Sequence, residues 1–164
     1  KELHFDTRGK HYFGIGFPNI AGGYEIRNPF FKGGITPKDI SLFHNEESKQ
    51  SCFVFEGFID FLSFMMLRRK ENDGLKRQDY LVLNSVSNIQ KALEPLSHYE
   101  NVQCFLDNDE AGRNAYLRLS KEFGNLVTDA STLYSGFKDL NEYLCAESKH
   151  SEKTENKKIR GIKL

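Results

Sequence analysis

Val102-Gln103-Cys104-Phe105-Leu106-Asp107-Asn108-Asp109-Glu110-Ala111-Gly112 is the stretch from which the rest of the chain can be read. An apolar run of strand length stops at two aspartates. Tyr116, Leu119 and Phe123 then recur at helical spacing across residues 111–123. A buried strand that ends in acids and passes directly into a helix is half of a βαβ unit.

The same succession appears on either side. Upstream, residues 51–55 read as a buried strand, followed by Glu56-Gly57 and an apolar helix over residues 58–69. Residues 79–83 read as a second strand, then Asn84-Ser85 and a short helix over 88–96 that Pro95 helps to end. Downstream, residues 126–129 form a weaker fourth strand and residues 140–146 a final helix. Strands alternating with helices predict an α/β fold, a parallel sheet of about four strands with helices on both faces. The helix after Gly57 is apolar nearly all round, as expected of one packed between the sheet and another layer.

Residues 1–45 have a different texture. Short alternating stretches, Tyr12-Phe13-Gly14-Ile15-Gly16-Phe17 and Tyr24-Glu25-Ile26-Arg27, are separated by turn signals at Pro18-Asn19, Gly22-Gly23, Asn28-Pro29 and Gly33-Gly34. They predict a small β-rich subdomain. The polar, lysine-rich stretch from residue 148 reads as a mobile tail. The expected organisation is therefore 1–45, 46–147 and 148–164.

Composition narrows the function classes. A length of 164 residues suits one domain with an appended subdomain. Lys plus Arg and Asp plus Glu number 23 each, so nucleic-acid binding would have to rest on local patches rather than net charge. The longest apolar run, residues 58–67, is interrupted by Asp60 and Ser63 and does not suit a membrane span. Three scattered cysteines make neither a disulfide framework nor a zinc site. Their odd number and the lack of a secretory leader predict a reducing, cytoplasmic setting. A chain that begins at Lys1 reads as a piece of something longer.

In a parallel sheet the carboxyl ends of all strands lie at one edge, and ligands bind in the crevice beyond it. Glu56 follows the first strand, Asp107 and Asp109 the third, and Lys138-Asp139 the loop after the fourth. Two carboxylates about 4 Å apart repel by roughly 4 kcal/mol at an effective dielectric near 20. A cluster of them needs protons or a divalent cation, and hard oxygen donors without His or Cys select Mg²⁺ or Mn²⁺. Competing readings exist for single residues. Asp60 suits the first turn of any helix, and Asp109 and Glu110 could serve only the start of the next one. Asn84 and Ser85 are candidates for the nucleotide side of the site, with helix capping as the alternative. An EF-hand is a poor reading, since its twelfth position would be Arg118. A haloacid-dehalogenase-type phosphatase also places Asp-x-Asp after a buried strand.

Three motifs carry a family resemblance. Phe55-Glu56-Gly57-Phe58-Ile59-Asp60 and Phe105-Leu106-Asp107-Asn108-Asp109-Glu110-Ala111-Gly112 resemble the two signatures of the Toprim domain. That domain is shared by DnaG-type primases, topoisomerases and certain nucleases. Gly136-Phe137-Lys138-Asp139-Leu140-Asn141-Glu142-Tyr143-Leu144 is similar to the third acidic element of the primase branch, and residues 12–38 to the small subdomain preceding Toprim in bacterial and mobile-element primases. The resemblance implies a Toprim-like sheet and the catalytic core of a DNA primase. Such a core makes RNA primers on single-stranded DNA from nucleoside triphosphates, with a replicative helicase as partner of the full-length protein.

By the same resemblance Glu56 would act as general acid/base. Asp107 and Asp109 would bind Mg²⁺, with Asp60 and Asp139 as further metal-holding acids. Gly57 and Gly112 would allow sharp turns, and Arg27, Lys32 and Lys138 would meet phosphates. Asn141 stands where some primases have a second acid. The alternatives are a Toprim nuclease and a non-catalytic nucleic-acid-binding module.

Overall fold

The turn signals of the first 36 residues fold as a meander. Strands β1 (Glu2–Thr7), β2 (Lys10–Pro18), β3 (Tyr24–Asn28) and β4 (Phe31–Ile35) pair antiparallel in chain order to make a front sheet. The structure, a computed structural model, describes residues 1–7, 9–45, 50–70 and 78–161.

The second sheet follows. Its strands are β5 (Ser41–Phe43), β6 (Ser51–Phe55), β7 (Asp79–Val82), β8 (Asn101–Phe105) and β9 (Val127–Asp129), in the order β5-β7-β6-β8-β9. The helices are α1 (Phe58–Lys70), α2 (Ile89–Leu96), α3 (Glu110–Phe123) and α4 (Leu140–Gly161). Strands β6 to β9 are mutually parallel, as the strand–helix alternation predicts.

Two features differ from the sequence reading. The sheet has a fifth strand, β5, which pairs antiparallel with β7. Three residues are too few to show a period of two, so the sequence alone groups them with the front region. Helix α4 runs past Ala146 to Gly161. From Leu140 to Arg160 the chain holds no proline or glycine and many Lys and Glu residues, so nothing local stops the helix.

Side-chain alternation sorts the core into two layers. Cys52, Val54, Leu81, Leu83, Cys104 and Leu106 face α2 and α3, while Phe53, Phe55, Tyr80, Val82 and Phe105 face α1. The second layer is mostly aromatic, with Phe55 and Phe105 stacked at 5.1 Å between centroids. Each such ring contributes about 1.5–3 kcal/mol on burial. Phe17 of β2 stacks on Phe58 at 4.9 Å, which fixes the front sheet against the start of α1. Among the described residues no helix is long and apolar enough to cross a membrane.

Candidate active site

From β6 the chain moves to β7 on one side of the sheet and returns to β8 on the other. The crevice at such a reversal opens between the carboxyl ends of β6 and β8. Glu56 and Asp107 lie immediately beyond those two strands, and the Asp107 N–H donates to Glu56 Oε2 at 3.4 Å.

Two side chains bring the last acidic element to the same place. Asn108 Nδ2 donates to the carbonyls of Tyr134 and Phe137, and its own N–H donates to the Lys138 carbonyl at 2.7 Å. The Tyr134 hydroxyl donates to the Leu106 carbonyl at 2.8 Å. The 134–138 loop is thereby tied to the Asp107 turn, and Asp139 is carried in. Asp139 opens α4, where its Oδ1 accepts from the Glu142 N–H while Glu142 Oε2 accepts from the Lys138 N–H.

Asp60, Asp107 and Asp139 each present a carboxylate oxygen, and the three oxygens lie within 4.8 Å of one another. Asp60 comes from the first turn of α1, and the Asn141 N–H donates to its Oδ1 at 3.2 Å. Asp109 stands apart from this group. It caps α3, with its Oδ1 accepting from the Gly112 N–H at 3.0 Å. Of the acids the sequence singles out, Asp60, Asp107 and Asp139 form the close group, with Glu56 beside Asp107 and Asp109 at the start of α3.

The donor set fits a hard divalent cation. It holds carboxylate oxygens with no imidazole or thiolate, and its charge is poorly compensated. Burial, followed by the Asp107 charge, pushes Glu56 up to about 7. Burial and the Asp139 and Asp107 charges push Asp60 up to about 6. Burial also raises Asp107, against the opposing pull of Lys138.

These shifts have a consequence for stability. A carboxyl whose folded pKa exceeds its unfolded value favours folding at low pH, and that contribution is lost as pH rises through the folded pKa. In EDTA the melting temperature is therefore expected to fall between pH 4 and 7.5. Asp60 accounts for on the order of 2 kcal/mol of this, or roughly 5 °C. Millimolar Mg²⁺ at pH 7.5 should restore it, and Asp60→Asn should flatten the profile in part, Glu56 keeping its own contribution. A wild-type profile that stays flat, or is indifferent to Mg²⁺, would contradict the cluster's charge balance.

Opposite the acids, the front sheet closes a cleft of about 620 Å³. Arg27 and Lys32 are cross-strand partners on β3 and β4, and both line it. The Arg27 guanidinium lies over the Phe58 ring at 5.7 Å, so the stacking that docks the sheet also aims its cation at the acids. Lys138 reaches Asp107 Oδ2 at 3.3 Å from the other wall.

Asn84 and Ser85 line the cleft and also serve the backbone. Asn84 takes φ 62°, a left-handed conformation that asparagine tolerates, and its Nδ2 donates to the Asp39 carbonyl and Ser41 Oγ. Ser85 Oγ accepts from the Ser87 N–H at the start of a short 3₁₀ turn. Neither Gly57 nor Gly112 has a positive φ. Gly112 is needed for space instead, since a Cβ there would lie 2.1 Å from the Asp107 carbonyl oxygen.

Sequence reasoning passed over four residues. Lys38 lines the cleft and pairs with the buried Glu25 at 2.6 Å. Asn108 and Tyr134, described above, position the acids. A cation after Pro37 and an asparagine between two aspartates carry no pattern, so only tertiary contacts reveal them.

Comparisons with known proteins bear on this arrangement. The profile of a family described as Toprim-like matches residues 53–144, and one described as a domain of unknown function matches residues 1–36. Comparison with curated protein sequences gives no match. The fold is similar to the crystal structure of the primase fragment of the bacteriophage T7 primase-helicase protein, with a TM-score of 0.61, 21% identity and 94% of this chain covered. This chain spans 65% of the length of that fragment. It is also similar to the primase domains in a bacteriophage T7 lagging-strand DNA polymerase structure, bound to an RNA/DNA hybrid and dTTP. There the TM-score is 0.58 and the identity 18%, over 94% of this chain and 80% of that one.

Proposed function

Because this chain belongs to the Toprim-like family over residues 53–144 and has the fold of a primase fragment, we propose that it is the catalytic core of a DNA primase. It would extend RNA primers on a single-stranded DNA template from nucleoside triphosphates. A replicative helicase would be the partner of a full-length protein that contains this core. One observation supports the reading above the rest: an acid cluster at the carboxyl edge of the parallel sheet faces Arg27, Lys32 and Lys38 across one cleft.

In the proposed reaction the primer 3′-hydroxyl attacks the α-phosphate of an incoming nucleotide. One P–O bond forms, another breaks, and pyrophosphate leaves. Asp60, Asp107 and Asp139 would hold Mg²⁺ or Mn²⁺. The ion would supply Lewis acidity toward the phosphoryl oxygens and lower the hydroxyl's pKa. Glu56, raised to about 7, is ionised in part at neutral pH and suits the proton leaving the 3′-hydroxyl. Arg27, Lys32 and Lys38 would align the triphosphate, whose negative charge their cations complement. Asn84 and Ser85 would border the nucleotide from the edge next to β7. A cleft of about 620 Å³ is within the ordinary range for a small-molecule site.

The test uses labelled ribonucleotides, Mg²⁺ and single-stranded DNA. The wild type should make short RNA products. Glu56→Gln should slow their formation by roughly 10²–10⁴-fold while Mn²⁺ uptake persists. Products made equally well by a folded Glu56→Gln protein would remove Glu56 from the mechanism. DNA cleavage in the absence of nucleotides would favour the nuclease reading.

A further inference from the structure

Resting on that reading of the acid cluster, we propose that Lys138 is its exchangeable counter-ion. Its ammonium holds Asp107 until a divalent cation arrives, and then passes to the phosphates of the nucleotide.

Asp107 contributes to the triad of oxygens lying within 4.8 Å of one another, and Lys138 Nζ contacts Oδ2 of the same carboxylate at 3.3 Å. An ammonium and a divalent cation on one carboxylate stand close enough to repel strongly. Uptake of the cation therefore works against the lysine contact.

The backbone of Lys138 makes the exchange inexpensive. Its N–H donates to Glu142 Oε2 at 2.6 Å and its carbonyl accepts from the Asn108 N–H at 2.7 Å. The Cα is clamped between the acid turn and the first turn of α4. The side chain, by contrast, is 61% exposed and has no other ion pair among the described residues. A long flexible stem on a fixed pivot can change partners without any change of fold.

The same side chain lines the cleft across from Arg27 and Lys32. Released from Asp107, it completes the cationic surround of a triphosphate from the acidic wall. Lys38 has no such freedom, because its partner Glu25 is buried and stands outside the acid cluster. Cation and nucleotide are then coupled through one lysine, and binding of each favours the other.

Mn²⁺ binding by electron paramagnetic resonance tests this on the whole chain. Lys138→Met is expected to bind Mn²⁺ roughly five- to tenfold more tightly than wild type. Lys138→Arg and the control Lys32→Met should stay within about twofold. At saturating Mn²⁺, ATP binding should weaken in Lys138→Met by about fivefold, so that one substitution moves the two ligands in opposite directions. Mn²⁺ affinity that is unchanged or reduced in Lys138→Met would overturn the exchange, because it would make Lys138 a fixed phosphate or structural residue. A wild type that takes up no Mn²⁺ would overturn the cluster reading and the exchange together. Opposite shifts in a protein that makes no primers would uphold the exchange and defeat only the primase reading.

Discussion

Asp107→Asn is expected to remove divalent-cation uptake and to lower nucleotide incorporation by roughly 10³-fold, with the melting temperature in EDTA unchanged or raised. Asp107 is the acid through which the cluster connects. It gives an oxygen to the triad with Asp60 and Asp139, its backbone N–H donates to Glu56, and Lys138 contacts its Oδ2. Asparagine has the same shape, so the turn and its backbone bonds survive. What disappears is one negative charge among carboxyls that burial already drives toward their neutral forms. Relief of that repulsion offsets the loss of the Lys138 contact, whose lysine side is exposed and screened by solvent. Calorimetric Mn²⁺ titration, a melting curve and the primer assay check the three parts separately.

Gly112→Ala is expected to do the opposite to stability. Its added methyl would lie 2.1 Å from the Asp107 carbonyl oxygen and 2.9 Å from the Asp107 nitrogen, and backbone cannot swing aside as a side chain can. Either α3 withdraws from the sheet or the Asp107 turn moves. Overpacking of this kind costs roughly 2–4 kcal/mol, or roughly 5–15 °C in melting temperature. Because the displaced peptide belongs to Asp107, Mn²⁺ affinity should fall as well. Gly57→Ala provides the comparison. The nearest atom to its new Cβ would be Asp60 Oδ2 at 3.3 Å, so its effect should be small. Thermal melts of the two variants side by side would show whether the requirement at residue 112 is for space, and equal losses in both would contradict it.

Much of the architecture could be read from the chain because its central strands are buried and α2 and α3 are strongly patterned. The runs around Phe53, Leu81 and Cys104 are continuous and apolar, and each ends at a polar turn. Their parallel order then places Glu56 and Asp107 at one edge. Ser41–Phe43 escaped because it is too short to show a period and takes its register from β7. The end of α4 escaped because its Lys- and Glu-rich sequence has the same composition as a tail.

The site was legible in its types of residue more than in its grouping. An aspartate after a strand can face the crevice or cap the next helix, and the local sequence is the same for both. Asp109 caps, while Asp60, whose position suits any first helical turn, faces the cluster. That choice is made by the bonds of Asn108 and Tyr134, which bring Asp139 alongside Asp107 from about 30 residues away. Contacts between side chain and distant backbone leave no periodic trace. The cations of the front sheet show the same limit, since Arg27 over Phe58 and Phe17 on Phe58 are tertiary contacts.

Crystals soaked in Mn²⁺ and measured at the manganese absorption edge test the central claim most directly. The account expects an anomalous peak within about 2.0–2.4 Å of carboxylate oxygens from Asp60, Asp107 and Asp139. A peak held by other residues, or none at this cluster under millimolar Mn²⁺, would contradict it.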